Sequence, residues 1–117
     1  FAYLTKECSI SSDTAYCVVL TTTASAEQAE ELAKKIVAEK LAACVQVQKI
    51  QSYYMWKGEA CNDPECLLFI KARQSQYQEL EDFIRKNHTY ETPEIVQLPI
   101  TAGFSGYLKW IDEVTGA

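Results

Sequence analysis

Between Ala43 and Gly58 the chain reads ACVQVQKIQSYYMWKG, a long run that alternates apolar and polar residues. Side chains on a strand point alternately to two faces, so this pattern specifies extended chain. Globular strands usually run about five or six residues, and a strand of this length must outgrow the sheet in which it starts. The alternation also changes phase: Val45 and Val47 share one parity, whereas Ile50, Ser52, Tyr54 and Trp56 have the other. One extra residue in a strand swaps its faces, so a bulge or bend near Gln48 and Lys49 is expected. The strand should begin in the core sheet and end as a projecting arm.

The rest of the chain supplies a frame for that arm. AYCVVLTTT (Ala15 to Thr23) is short and rich in β-branched residues, as a buried strand is. A helix should follow, with Ser25 as N-cap and Gln28 placed to complete a capping box. Its stripe is Ala29, Leu32, Ala33, Ile36, Val37 and Leu41, with Glu30, Glu31, Lys34, Lys35 and Glu39 turned outward. After GEACNDPE, with its turn-like NDP, the run CLLFIKA (Cys66 to Ala72) returns as a third strand and closes a hairpin. A second helix carries Tyr77, Leu80, Phe83 and Ile84, with Ser75 and Gln78 offering another capping box. EIVQLPI is a short strand in which Pro99 requires an edge or a strand end, because proline has no amide to donate to the ladder. A last helix carries Tyr107, Leu108, Ile111 and Val114. The order is β-α-β-β-α-β with a C-terminal helix, which predicts an α+β ferredoxin-like plait with a long protruding hairpin.

Composition narrows the function. A chain of 117 residues with 48% hydrophobic and 23% charged residues is one ordinary domain. Here 1–14 is read as an N-terminal extension and 15–117 as the domain. No apolar run approaches the roughly 20 residues that cross a bilayer, so no membrane partner is expected. A net charge of -5, with eleven basic residues scattered along the chain, argues against nucleic acid. The N-terminal FAYLTKECSISSD lacks a basic start followed by an apolar core; a cytoplasmic protein is expected, with a processed or organellar form as the alternative. The five cysteines, Cys8, Cys17, Cys44, Cys61 and Cys66, form no CxxC pair and are expected to be reduced; Cys61 and Cys66 would pair only if the NDP loop folded back.

Candidate chemistry is sparse. With one histidine, His88, no Ser/His/Asp or Cys/His set can be assembled, and the four glycines form no phosphate loop. No enzyme is expected. His88, followed by Tyr90, Glu91 and Glu94, offers one imidazole with nearby carboxylates for copper or zinc, provided other ligands join it. The alternative is a polar helix end that bonds backbone carbonyls and gains from the helix dipole. In YYMW, four large side chains in succession must point to both faces of a strand, and one small core cannot receive both sets. An interface with another copy of the chain is the expected use of the surplus face.

Four motifs then carry a resemblance. AEKLAACV (Ala38 to Val45), SYYMWKGE (Ser52 to Glu59), HTYETPEI (His88 to Ile95) and YLKWI (Tyr107 to Ile111) stand in the order and spacing of the divalent-cation tolerance proteins, the CutA family. The resemblance implies a non-enzymatic homotrimer whose long hairpins extend into neighbouring subunits, associated with tolerance of copper and other divalent cations. It implies no obligatory cofactor, with Cu(II) or another divalent cation as the candidate ligand. The architecture also resembles the P-II signalling proteins, so a signalling or scaffolding trimer that binds a small ligand or protein at intersubunit clefts is the alternative. The family's copper ligand positions correspond here to Thr21, Asn87 and His88, of which only the histidine is retained; Thr89 stands where relatives usually have proline. Tyr54, Trp56, Glu59, Glu65, Lys71, Tyr90, Glu91 and Glu94 match residues that line intersubunit clefts in relatives, with ion pairs between Lys71 and glutamates that fix the trimer as a purely structural alternative. Pro93, another match, restricts Thr92 to extended conformations and launches the fourth strand.

Overall fold

Residues 15–116 are described by the computed structural model; the 1–14 extension lies outside them. The elements run β1 (Tyr16–Thr23), α1 (Ala26–Ala38), β2 (Cys44–Trp56), β3 (Glu59–Arg73), α2 (Tyr77–Lys86), β4 (Ile95–Pro99) and α3 (Ser105–Val114). The strands form one sheet in the order β2-β3-β1-β4, and every neighbouring pair is antiparallel. This is the expected α+β ferredoxin-like plait. β4 sits at an edge and ends at Pro99, so the missing amide interrupts no central ladder.

One face of the sheet carries the core. Cys17 and Val19 of β1 and Cys66, Leu68, Ile70 and Ala72 of β3 are buried against Ala29, Leu32 and Ile36 of α1 and Leu80 and Ile84 of α2. The start of α1 is fixed as its sequence requires. Ser25 Oγ accepts the Gln28 amide at 3.2 Å, and Gln28 Oε1 accepts the Ala24 amide at 3.2 Å, one residue beyond the N-cap amide of a full capping box. The second expected capping box does not form: Gln74–Gln76 make a 3-10 turn, α2 starts at Tyr77 without a side-chain cap, and Ser75 accepts a bond from Arg73 instead. Val37, expected in the α1 stripe, is 43% exposed at the stripe's edge.

The opposite face is only partly covered. By strand parity it presents Val18, Leu20, Ile50, Leu67, Phe69, Val96 and Leu98, the last two 43% and 49% exposed. α3 lies over one end of it, with Ile111 its only buried apolar residue. Polar contacts hold that helix: Tyr16 Oη donates to Asp112 Oδ2 at 2.6 Å, and the Arg73 guanidinium donates to Thr115 Oγ1 at 2.8 Å and to the Thr115 carbonyl at 2.9 Å.

The arm departs from expectation in two ways. β2 and β3 pair in one unbroken register from Cys44↔Lys71 to Trp56↔Glu59, so there is no bulge at Gln48 and Lys49. The apolar residues change parity because the covered face changes. Val45 packs against the helix-side core, whereas Ile50, Tyr54 and Trp56 lie on the other face, further out than the helices reach. The NDP segment, in turn, is strand and not turn, because β3 starts at Glu59. The reversal is made by Lys57 and Gly58, both at positive φ (49° and 81°), the geometry of a two-residue type I′ hairpin. Pro64 is tolerated because β1 pairs with β3 only from Cys66 onward, leaving that stretch with an open edge. Tyr53 and Met55 on one face, and Tyr54 and Trp56 on the other, are consequently all exposed.

Burial ranks the elements by stability. Leu68→Ala, at a fully buried position, should cost about 2–5 kcal/mol and Ser25→Ala about 1 kcal/mol, whereas Lys34→Ala, which breaks an exposed ion pair with Glu30, should change stability least. Urea unfolding midpoints should fall in that order, and an equal effect of the first two would contradict the core assignment.

Candidate functional site

The expected site residues gather only in part, around the end of α2 and the root of the arm. Asn87 terminates α2, and its Nδ2 donates to the Phe83 carbonyl at 2.8 Å. His88 then turns its half-buried ring to the sheet, where Nε2 lies 2.7 Å from the Thr22 carbonyl oxygen and Nδ1 accepts the Tyr90 amide at 3.1 Å. A carbonyl oxygen only accepts, so Nε2 must carry the proton, and the bond from Tyr90 requires Nδ1 to be bare. These partners assign a neutral imidazole in one tautomer.

Tyr90 continues the chain of contacts. Its ring lies 4.9 Å from that of His88, and its hydroxyl donates to Glu65 Oε2 at 2.6 Å. Two residues back on the same face of β3, Asp63 accepts a short bond from the Tyr54 hydroxyl. Burial, together with the bond to Glu65 and that residue's charge, pushes the Tyr90 phenol well above its ordinary range. The Tyr54 phenol is pushed up to about 12, first by its bond to Asp63 and then by burial and the carboxylate charge.

The remaining candidates lie elsewhere. Trp56 and Glu59 are cross-strand partners at the arm tip, roughly 20 Å along β3 from Glu65, with the Lys57 ammonium 5.7 Å from the Trp56 ring. Lys71 is at the opposite end of β3, donating to Gln46 Oε1 at 2.8 Å and lying over the Tyr107 ring, with no glutamate partner among the described residues. Glu91 borders an open cleft of about 410 Å³ with Asp82, Arg85, Lys86, Tyr90 and Pro93. Glu94 is exposed just before β4.

Thr21, Asn87 and His88 differ sharply in environment. Thr21 is fully buried, and its Oγ1 has no hydrogen-bond partner among the described residues. Asn87 and His88 line a small cleft of about 50 Å³ with Thr23, Gln28, Glu31 and Lys35 among others. Among the described residues, no three His, Cys, Asp or Glu side chains come together as a metal would require. Cys17, Cys44, Cys61 and Cys66 are free thiols, and burial pushes Cys17 up to about 11. The condition for a Cys61–Cys66 pair, a folded-back loop, is not met, since the two lie five residues apart on one straight strand and point to opposite faces.

Two contributors escaped the sequence reading. Asp63 was hidden because NDP reads as a turn; once β3 is extended through it, the i, i+2 spacing places Asp63 beside Glu65. The Thr22 carbonyl carries no side-chain signal at all. Among the described residues no helix is long and apolar enough to cross a membrane.

A four-stranded plait with an overlong β2–β3 hairpin and a tyrosine–carboxylate pair at its root defines a narrow structural class. The family profile described as CutA1 divalent ion tolerance protein matches residues 17–114, and the chain belongs to that family. It is 46% identical over 99 residues to the chloroplastic protein CutA of Arabidopsis thaliana, a match covering 84% of this chain and 54% of that protein. It is 44% identical over 100 residues to the divalent-cation tolerance protein CutA of Thermus thermophilus, covering 85% and 97%. The solved structure of the periplasmic divalent cation tolerance protein CutA from Archaeoglobus fulgidus superposes with a TM-score of 0.84 at 35% identity, covering 86% of this chain and 98% of that one. The chain thus spans about half the length of the plant relative it matches.

The phenols give a pH signature. Tyr54 and Tyr90 have folded-state values raised above the ordinary value of about 10, so their contribution to stability is complete below about pH 10 and is lost as pH climbs through about 12 and beyond. In an absorbance titration of tyrosinate, Tyr54→Phe and Tyr90→Phe should each remove one late-ionising phenol. Removal of a phenol that ionises near pH 10 would show that its carboxylate bond is absent.

Proposed function

We propose that this protein is a non-enzymatic homotrimer associated with tolerance of divalent cations, copper among them. The observation that carries the assembly is the uncovered sheet face. Val96 and Leu98, with Leu20, Phe69 and Ile50 beside them, make an apolar surface too large for α3 to bury, next to an arm with an open strand edge. A second and third copy supply the missing cover. In that arrangement Tyr54, Trp56, Glu59, Glu65, Lys71, Tyr90, Glu91 and Glu94 border clefts between copies. The names of the Thermus and Archaeoglobus relatives support the cation role, and the net charge of -5 favours cations in general. His88 enters as a ligand only if its ring leaves both backbone partners. The compartment we assign is the cytoplasm, with the chloroplastic name of the Arabidopsis relative supporting an organellar alternative.

A second reading, a P-II-like trimer that takes up a small ligand or protein at those clefts, draws on the cleft where Arg85 and Lys86 stand with Asp82 and Glu91, a mixed-charge lining suited to a zwitterionic or anionic guest. Calorimetry with Cu(II) and Zn(II) against small anions separates the two readings.

Native mass spectrometry at micromolar concentration should show a species of three chain masses with and without metal. Leu98→Glu, which buries a charge on the apolar face, should shift it to monomer, and Trp56→Ala should shift it toward smaller species. A wild-type monomer under these conditions would end the trimer proposal.

A further inference from the structure

The ligand set that the family resemblance implies can be tested against the donors present. A metal needs free lone pairs, and a ring nitrogen that bears a proton or already accepts a hydrogen bond has none to give. Both nitrogens of His88 are in that condition, bound to the Thr22 carbonyl and the Tyr90 amide. Asn87 donates its Nδ2 to the Phe83 carbonyl and has only a neutral amide oxygen to offer, and Thr21 has only a neutral, fully buried hydroxyl. The set does not fit a metal.

The same contacts fit a different purpose. β4 pairs with β1 only as far as Thr21↔Ile95, so the Thr22 carbonyl faces the β4 side beyond the last pair, where no strand amide meets it. His88 Nε2–H supplies the missing donor. On the other flank, β1 pairs with β3 only as far as Thr23↔Cys66, so Glu65 is the first residue of the arm without support from β1. Tyr90 binds that residue. We infer that His88 and Tyr90 form a latch in which His88 closes the end of β1 and, through the Tyr90 amide, aims the Tyr90 hydroxyl at Glu65 to brace the root of the arm, and that the Thr21, Asn87 and His88 set holds no metal in this protein. His88 is thus a positioning residue. The inference concerns the single chain and stands whether or not the trimer forms.

The test combines imidazole nitrogen NMR with amide hydrogen exchange on the full chain. The His88 ring should show a neutral Nε2–H tautomer that does not shift when one equivalent of Zn(II) is added. In Tyr90→Phe, exchange should quicken roughly fivefold at Asp63 and Glu65 while the amide of residue 90, still held by His88, stays protected. In His88→Gln all three sites should quicken, with Zn(II) and Cu(II) affinity unchanged. A purely local helix-capping role for His88 would leave Asp63 and Glu65 untouched, and that result overturns the latch. A zinc-induced shift of the His88 ring, or loss of one-to-one metal binding in His88→Gln, overturns the exclusion of metal. The wild-type spectrum and Tyr90→Phe decide both points if His88→Gln does not fold.

Discussion

β2 and β3 stay paired for the full length of β2, while β1 supports β3 only from Cys66 to Arg73 and the helices cover less still. The hairpin is thus longer than anything the rest of the domain can place on it. Near the helices its strands have one buried face, and β3 shows this in the strict alternation of Cys66, Leu68, Ile70 and Ala72 with less buried neighbours. Beyond the end of β1 no helix packs on either face, and the backbone holds its course chiefly through cross-strand hydrogen bonds and the type I′ reversal at Lys57 and Gly58. The apolar side chains that remain there, together with those of the uncovered sheet face, set the terms for any assembly.

An arm with so little support needs fixing at its root, and the Asn87 to Glu94 segment provides it. That segment leaves α2 at Asn87, crosses the end of β1 and enters β4 at Ile95. On the way it meets two unsupported points of the sheet, the Thr22 carbonyl and the Glu65 side chain. Both are flaws left by strands of unequal length, and a histidine and a tyrosine two residues apart correct them.

Much of this was legible beforehand. The plait followed from the order of the periodic segments, and the arm from the length of one strand, because length and period are properties of local sequence. The readings that failed did so at points where tertiary cover overrides local pattern. The phase change after Val47 looks like an inserted residue, whereas the strand is regular and its buried side changes. NDP has turn chemistry, yet thirteen residues of β2 hold its partner strand straight through it, and the open edge removes the penalty on Pro64. Ser75 and Gln78 have the spacing of a capping box, but Arg73 claims the serine and a 3-10 turn takes the place of the first helical turn.

The histidine shows why site chemistry is harder to read than fold. Residue type and neighbours made His88 a candidate ligand, since an imidazole close to Glu91 and Glu94 has the right elements in the right stretch of chain. Coordination, however, depends on unspent lone pairs, and these are consumed by main-chain groups that carry no sequence signature: a carbonyl at Thr22 exposed because β4 is short, and an amide at Tyr90 presented by the turn before Pro93. The acidic residues divide on the same principle. Glu65 and Asp63 are committed to phenols, while the carboxylates of Glu59, Glu91 and Glu94 are exposed and without a hydrogen-bond partner among the described residues. Among the described residues, the donors left for a cation are therefore the uncommitted carboxylates and the free thiols.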